Sequence, residues 1–447
     1  MSKESSRRTF IKKTAIAGSA AMVLPTFIPS SAFGANDRIN AAVLGINGRG
    51  KSHIQGFMAQ KDVEITTLCD PDMNLLTPAQ KAFKEKYGKD VAIEQDLRKV
   101  FDNKDIDVVS LATPNHWHAL ATIWACQAGK DVYVEKPGSH NISEGRRMIE
   151  AAEKYDRIVQ HGVQLRSSPA VQEAIQLMRD GYIGRVYMAR GLVFRMRGDI
   201  GIKGPSAVPA GLDYDLWTGP APKAPFTHDL VHYNWHWHFD YGNGDVGNQG
   251  IHETDLCMWG LDVGFPTKIT SMGGKYLWKD SKETPEVLTS IYNYPEEDKI
   301  IQFEVRPWYT NAEDGATVGN IFYGDKGYLV VDGYDKYKTF LGNDRTPGKS
   351  GDDGGAAASG MDRGAGGTDG HFANFIEAVR KHDKSILNGP VETAHLSSGL
   401  AHLGNISYRL GRVLDFDPKS EKFVNDPEAD AMLTREYRPG FEVPDKV

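Results

Sequence analysis

Lys136 lies between Glu135 and Pro137 at the end of an apolar run, DVYVEKP. A lysine amine that is desolvated or set beside another cation loses proton affinity and becomes usable as an acid or base near neutral pH. Pro137 suits a sharp turn, trans or cis, that would aim the ammonium inward. The same lysine paired with Glu135 in solvent would do no chemistry. A second set lies in GDVGNQGIHETDLCMWGL, where Asn248 and His252 stand four apart on one face of an expected helix, with Asp255 a turn beyond. Histidine carries protons near neutral pH and a carboxylate neighbour can orient it. The competing reading is a histidine that caps the helix or packs in the core. NHWH at 115–118 and YNWHWH at 233–238 add flat apolar faces for sugar rings and polar groups for hydroxyls. Trp235, His236 and His238 are the substrate candidates there, although Trp235 and Trp237 equally suit a core or an interface. His236 and His238 could pair on a metal, but no carboxylates stand at metal-motif spacing, so no metal is expected. Arg166, Arg190, Arg195 and Arg197 could orient a polar substrate or form ordinary salt bridges.

These residues need a frame, and the clearest part of it is RINAAVLGINGRG at 38–50. An apolar strand ends in glycines, a helix follows, and a second strand, VEITTLCD, closes on Asp70. This is the strand–turn–helix–strand pattern that binds dinucleotides. Gly45 permits the sharp turn, while Gly48 and Gly50 let backbone approach a pyrophosphate at the helix N-terminus. Asn47 takes the place of the usual second glycine, and Arg49 completes the expected contact set. Asp70 would accept from both ribose hydroxyls and repel a 2′-phosphate, which favours NAD over NADP. Strand-like runs (VEITTLCD, DVAIEQ, DVVSLAT, DVYVEKP, RIVQHGVQL) alternate with helical ones to about residue 165, the mark of a parallel sheet covered on both faces. Gly45, Asp70, Thr113-Pro114-Asn115 and Glu135-Lys136-Pro137 all fall at strand C-terminal ends, where ligands of such sheets lie.

Beyond residue 165 a helix over 169–180 leads into VYMARGLVFR and then KITSMGGKYLW, EVLTSIYNY, KIIQFEVRPW and GNIFYGDKGYLVVDG. The alternation predicts a largely antiparallel sheet in an α+β region, with a hairpin turn at 325–327. Residues 345–370, rich in Gly, Ser and Asp, read as a surface loop, followed by helices near 371–382 and 392–413. The expected organisation is a signal segment at 1–34, a Rossmann domain at 35–165 and an α/β substrate and oligomerisation domain at 166–447.

Ser6-Arg7-Arg8-Thr9-Phe10-Ile11-Lys12, followed by a short apolar stretch and small residues near Gly34, matches a twin-arginine export signal and predicts a periplasmic or otherwise exported protein. The apolar part is too short and too rich in Gly, Ser and Pro to span a membrane, and no later stretch looks transmembrane. Because this route carries folded proteins, an exported NAD enzyme is expected to hold its cofactor tightly and restore its redox state each cycle. The 447 residues carry a net charge of −7, and about −11 without the basic leader, which argues against nucleic acid or an anionic membrane as partner. Cys69, Cys126 and Cys257 stand alone in apolar surroundings and read as packing residues.

Taken together, the glycine turn with Asp70, TPNHWH, Glu135-Lys136-Pro137, Gln164-Leu165-Arg166 and the segment around His252 resemble the Gfo/Idh/MocA family, which includes glucose–fructose oxidoreductase and inositol dehydrogenase. The resemblance runs from about residue 38 to the C-terminal helices. It implies a Rossmann domain followed by an α/β domain whose open-faced sheet often forms an oligomer interface. It implies that Asn115, His118, Glu135, Lys136 and Gln164 join the cofactor contacts, that Lys136 is catalytic, and that His252 is the principal proton carrier. Arg166 and Asp255 fall within its motifs as substrate candidates. The family's aspartate four residues before the histidine is Asn248 here, an amide that can hold a sugar hydroxyl but cannot act as a base.

The leading expectation is hydride transfer from a sugar or glycoside to a tightly bound nicotinamide. The alternative is an NAD-dependent glycosidase or lyase that oxidises C-3 transiently, eliminates the aglycone and returns the hydride. A non-catalytic sugar-binding role is disfavoured by the presence of both Lys136 and His252.

Overall fold

The computed structural model describes residues 38–353 and 366–447. The twin-arginine motif and the 354–365 part of the expected loop lie outside the described residues. Six short strands form a parallel sheet: β1 (Ile39–Leu44), β2 (Val63–Cys69), β3 (Ala92–Glu94), β4 (Val108–Leu111), β5 (Asp131–Val134) and β6 (Val159–His161), in the order β3-β2-β1-β4-β5-β6. The helices between them are α1 (Arg49–Met58), α2 (Met73–Tyr87), α3 (Leu97–Asp102), α4 (Asn115–Gln127) and α5 (Ile142–Lys154). Strands β4 and β5 are buried along their whole length, as the near-continuous apolar runs require of a sheet covered on both faces. Strand order reverses between β1 and β4, and the crevice at this switch point is where such sheets take ligands.

Strand β6 is shorter than its apolar run suggests. It stops at His161, and Gln164–Ser167 forms a 3-10 turn that carries the chain into α6 (Pro169–Arg179). The second sheet comprises β7 (Val186–Phe194), β8 (Lys268–Gly274), β9 (Val287–Tyr294), β10 (Lys299–Arg306), β11 (Val318–Gly324), β12 (Gly327–Asp332), β13 (Lys336–Leu341), β14 (Thr346–Asp352), β15 (Leu414–Asp417) and β16 (Lys422–Phe423). Its order is β14-β13-β12-β11-β7-β10-β9-β8-β15-β16, antiparallel except where β7 meets β10. Strand β9 alternates strictly, turning Leu288, Ser290, Tyr292 and Tyr294 inward. Strands β11 and β12 form the expected hairpin across Asp325-Lys326. The start of the expected 345–370 loop is instead edge strand β14, whose Pro347 and glycines are tolerated because no further strand has to pair with it.

Between β7 and β8 lie α7 (Tyr214–Thr218), α8 (Gly244–Asn248) and α9 (Ile251–Leu261); after β14 come α10 (Gly366–Lys381) and α11 (Val391–Leu410). These last helices return to the first sheet. Phe372 stacks on Tyr133 with ring centres 4.5 Å apart and leans on Phe57 at 4.8 Å, leaving Gly56 no room for a side chain. Phe441 closes against Trp117 on the opposite face. The C-terminal part of the chain therefore completes the core around the first sheet. Among the described residues, no helix is long and apolar enough to cross a membrane.

Candidate active site

At the end of β1 the chain turns at Gly45 with φ +79°, where a Cβ would lie 2.5 Å from the Ala112 carbonyl oxygen. A Cβ on Gly50 would sit 2.0 Å from the Gly45 carbonyl oxygen, so both glycines are demanded by closure of one turn. Gly50 does not itself line the cleft; its part is to let that turn close. Gly48 (φ +57°) is the N-cap of α1 and offers no side-chain cap, which leaves the first-turn N–H groups for an anion. Asn47 turns its amide oxygen back to accept from Gly48 N at 3.1 Å. Asp70 ends β2 and accepts from the backbone N–H groups of Ile46 and Asp72, each at 3.1 Å. Burial pushes its carboxyl up to about 6, against the pull of those two donors. Gly45, Asn47, Gly48, Arg49, Asp70, Asn115 and His118 line one end of a cleft of about 520 Å³.

That end is roofed by residues 211–233, which sequence reading leaves unassigned up to the YNWHWH cluster. Asp213 N donates to the Pro71 carbonyl at 2.8 Å and Met73 N to the Gly211 carbonyl at 3.0 Å. Leu216, Trp217, His232 and Tyr233 thereby enter the cleft wall, and His232 pairs with Asp72 at 3.0 Å. An Asp70→Ser variant is expected to lose at least about tenfold in NAD affinity through the missing charged acceptor. In the unaltered protein, NAD affinity should fall as pH drops through about 6, because the carboxylate is the accepting form. Titration of nucleotide-free protein with NAD and NADP checks both.

Between the two ends stands Glu135. Its Oε1 receives Arg49 Nε at 2.8 Å, Gln164 Nε2 at 3.0 Å and His53 Nε2 at 3.1 Å, while Oε2 accepts from Lys136 N at 3.2 Å. Its burial is outweighed by Arg49, His53 and Lys136, which hold the carboxyl well below its usual range. Glu135 and Gln164 both line the cleft, and the carboxylate there fixes Arg49 and the start of the 3-10 turn. His118 is held between the Pro137 and Thr113 carbonyls at 2.6 and 2.8 Å.

The Lys136–Pro137 bond is cis. Lys136 Nζ donates to the Asn248 carbonyl, and burial lowers its ammonium to about 8. Asn248 and His252 do share the cleft, but on two helices: α8 ends at Asn248 and α9 begins at Ile251. The break falls at Gly250, where a Cβ would lie 2.4 Å from the Phe303 ring. Asn248 Nδ2 and His252 Nδ1 are buried with no partner among the described residues. Burial, reinforced by the Lys136 charge, holds the His252 imidazole neutral, well below its usual range. Tyr334, from the β12–β13 turn, stands edge-on to His252 at 5.6 Å and accepts from Gln249 Nε2 at 2.5 Å. Nothing in the sequence near Tyr334 marks it as a cleft residue, and Gln249, although it follows Asn248, is not singled out by type or spacing.

Trp235 and His236 line the cleft with rings stacked 3.6 Å apart, and burial lowers His236 to about 3, so it faces the site neutral. The other substrate candidates are corrected by the structure. Arg166 and Asp255 do not line the cleft; Arg166 Nε and Nη2 donate to the two carboxylate oxygens of Asp255 at 2.7 and 3.0 Å, which consumes both groups. His238, which follows a second 3-10 turn at Asn234–Trp237, does not line the cleft and meets Glu283 at 3.4 Å. Arg190 belongs to a network with Glu304 and Glu313 on the sheet. Arg195 and Arg197 do reach the cleft.

Residues 39–163 match the NAD-binding Rossmann fold of the Gfo/Idh/MocA oxidoreductase family, and residues 192–275 and 366–443 match its C-terminal alpha/beta domain. The chain belongs to this family of NAD-binding oxidoreductases. Among curated relatives it is 29% identical over 167 residues to a glycosyl hydrolase family 109 protein of Saccharopolyspora erythraea, covering 36% of each chain. It is 29% identical over 156 residues to the levoglucosan dehydrogenase of Pseudarthrobacter phenanthrenivorans, covering 34% of this chain and 40% of that one. The matched region is thus well under half the length of these relatives. A levoglucosan dehydrogenase solved with NADH and levoglucosan shares the fold, with a TM-score of 0.63 at 18% identity over 85% of this chain and 99% of that one.

Proposed function

We propose that this chain oxidises a sugar or glycoside with NAD as a resident cofactor. The observation that carries the reading is a single cleft in which the α1 cradle meets Lys136, Asn248 and His252, with two buried polar nitrogens left unpartnered. The uncapped α1 N-terminus, the Gly45 turn and Asp70 are the groups that would hold NAD, which when bound supplies the two-electron acceptor. The protein's own residues do the rest. Asn248 Nδ2 and the neutral His252 ring are hydrogen-bonding groups for sugar hydroxyls, Trp235 and His236 give a wall for the ring, and Lys136 Nζ takes the hydroxyl proton. Protein denatured after purification should release close to one nucleotide per chain, and sugars added to the intact protein should reduce it. A folded protein without nucleotide affinity would sink this reading.

Asn248 favours a second reading, redox-neutral glycoside cleavage, because an amide holds a hydroxyl without competing for its proton. Its signature is aglycone release with no net reduction of NAD and exchange of the C-2 hydrogen with solvent deuterium. The names of the glycosyl hydrolase family 109 relatives are compatible with it. The Ser6–Lys12 motif supports export by the twin-arginine route, and the broad ten-stranded sheet supports a homo-oligomer.

A further inference from the structure

Of the four lysine and arginine side chains that line the cleft among the described residues, two are held in ion pairs and two are not. Arg49 is matched by Glu135, and Arg197 is matched by Asp245 through a two-pronged pair at 2.7 and 2.9 Å. Two cations remain. Lys136 Nζ meets only a backbone carbonyl, and Arg195 Nη1 meets only the neutral Gln249 Oε1 at 2.7 Å. The other N–H groups of Arg195 find no acceptor among the described residues. The remaining nearby acid, Glu253, does not line the cleft. Its Oε1 accepts from Gln249 Nε2 at 3.1 Å, while its buried Oε2 meets no donor, as suits a protonated carboxyl. Burial pushes it up to about 8, so it leaves Arg195 unneutralised near pH 7. Beside these cations, Asn248 presents a buried, unpartnered N–H donor.

We propose that the cleft is built for a sugar bearing a carboxylate, a uronic acid or its glycoside, with Arg195 as the fork that grips the carboxylate and Asn248 as a further donor. This rests on the sugar-oxidoreductase reading and adds the substrate class. A guanidinium presents parallel N–H groups that match a planar carboxylate, and such charge-assisted bonds are the strong ones. A neutral sugar would leave Arg195 facing the cleft with no carboxylate partner among the described residues.

The test is calorimetric titration of the NAD-loaded protein with methyl glucuronoside, methyl glucoside and the sulfate ester of that glucoside, alongside nucleotide reduction. The uronate is expected to bind roughly 10- to 100-fold more tightly than the glucoside. Arg195→Gln should collapse that ratio, Arg195→Lys should retain part of it, and Asn248→Asp should lower it by adding a negative charge. If Arg195→Gln fails to fold, the lysine and aspartate variants decide the matter. Equal or tighter binding of the glucoside, with NAD reduced, overturns the carboxylate proposal and leaves the oxidoreductase reading standing. Preference for the sulfate ester overturns the carboxylate assignment alone. No binding and no nucleotide reduction with any sugar overturns both.

Discussion

A Lys136→Met protein is expected to oxidise sugar roughly 10²- to 10⁴-fold more slowly than the unaltered chain, the usual worth of a positioned acid–base group. It should still release nucleotide on denaturation. Methionine keeps the unbranched apolar stem and removes only a buried amine whose sole described acceptor is the Asn248 carbonyl. Near neutral pH Lys136 is the cleft group best placed to change protonation state. Burial has already brought its ammonium down to about 8, whereas it holds His252 neutral throughout the physiological range. The sign follows: the free amine is the base, so sugar oxidation should rise as pH increases through about 8 and level off above it. The methionine variant should lose that inflection. A rate that is flat across pH 8 in the unaltered protein, together with a Lys136→Met variant of near-normal rate, would move the proton to His252 and refute this assignment.

How much of this was legible beforehand depends on how local each feature is. The Gly45 turn, Asp70 and the strand-end position of Lys136 can be read because backbone geometry over a dozen residues dictates them. The mainly antiparallel second sheet can be read because period-two alternation survives in strands such as β9 and β10. Pairing across the chain cannot. Arg166 and Asp255 have the residue types of a substrate clamp, and only the fold, which sets α9 beside the 3-10 turn, makes them each other's partner. The helix expected through Asn248 and His252 is split at Gly250, a position where the Phe303 ring, from a strand some fifty residues on, fills the space a side chain would need. Tyr334 reaches His252 from a tight turn whose sequence looks ordinary. The roof over the Asp70 end is held by hydrogen bonds between residues more than a hundred positions apart, from backbone and from Asn74, Gln95 and His232, which no local pattern encodes.

Glu135 is the strongest case of a residue whose role exceeds its motif, and Glu135→Gln should affect both fold and chemistry. From its place just past β5, the carboxylate gathers α1 through Arg49 and His53 and the 3-10 turn through Gln164. Glutamine matches its shape but brings an NH₂ group into a ring of donors and leaves Arg49 without a counter-charge. Breaking a buried ion pair costs about 3–5 kcal/mol. The cost here falls below that range because the Arg49 side chain is 36% exposed and solvent screens the pair. The variant should therefore melt at a lower temperature and retain less nucleotide, since Arg49 itself lines the cofactor end. Its chemistry should shift in a definite direction. Glu135 is the largest influence that raises the Lys136 ammonium against burial, so its loss lowers that ammonium further. In whatever fraction stays loaded, the rise in oxidation rate should move from about pH 8 to lower pH. An unchanged melting temperature would show that Glu135 is not the tie between these elements. A lower melting temperature with an unmoved pH inflection would separate the structural tie from any electrostatic hold on Lys136.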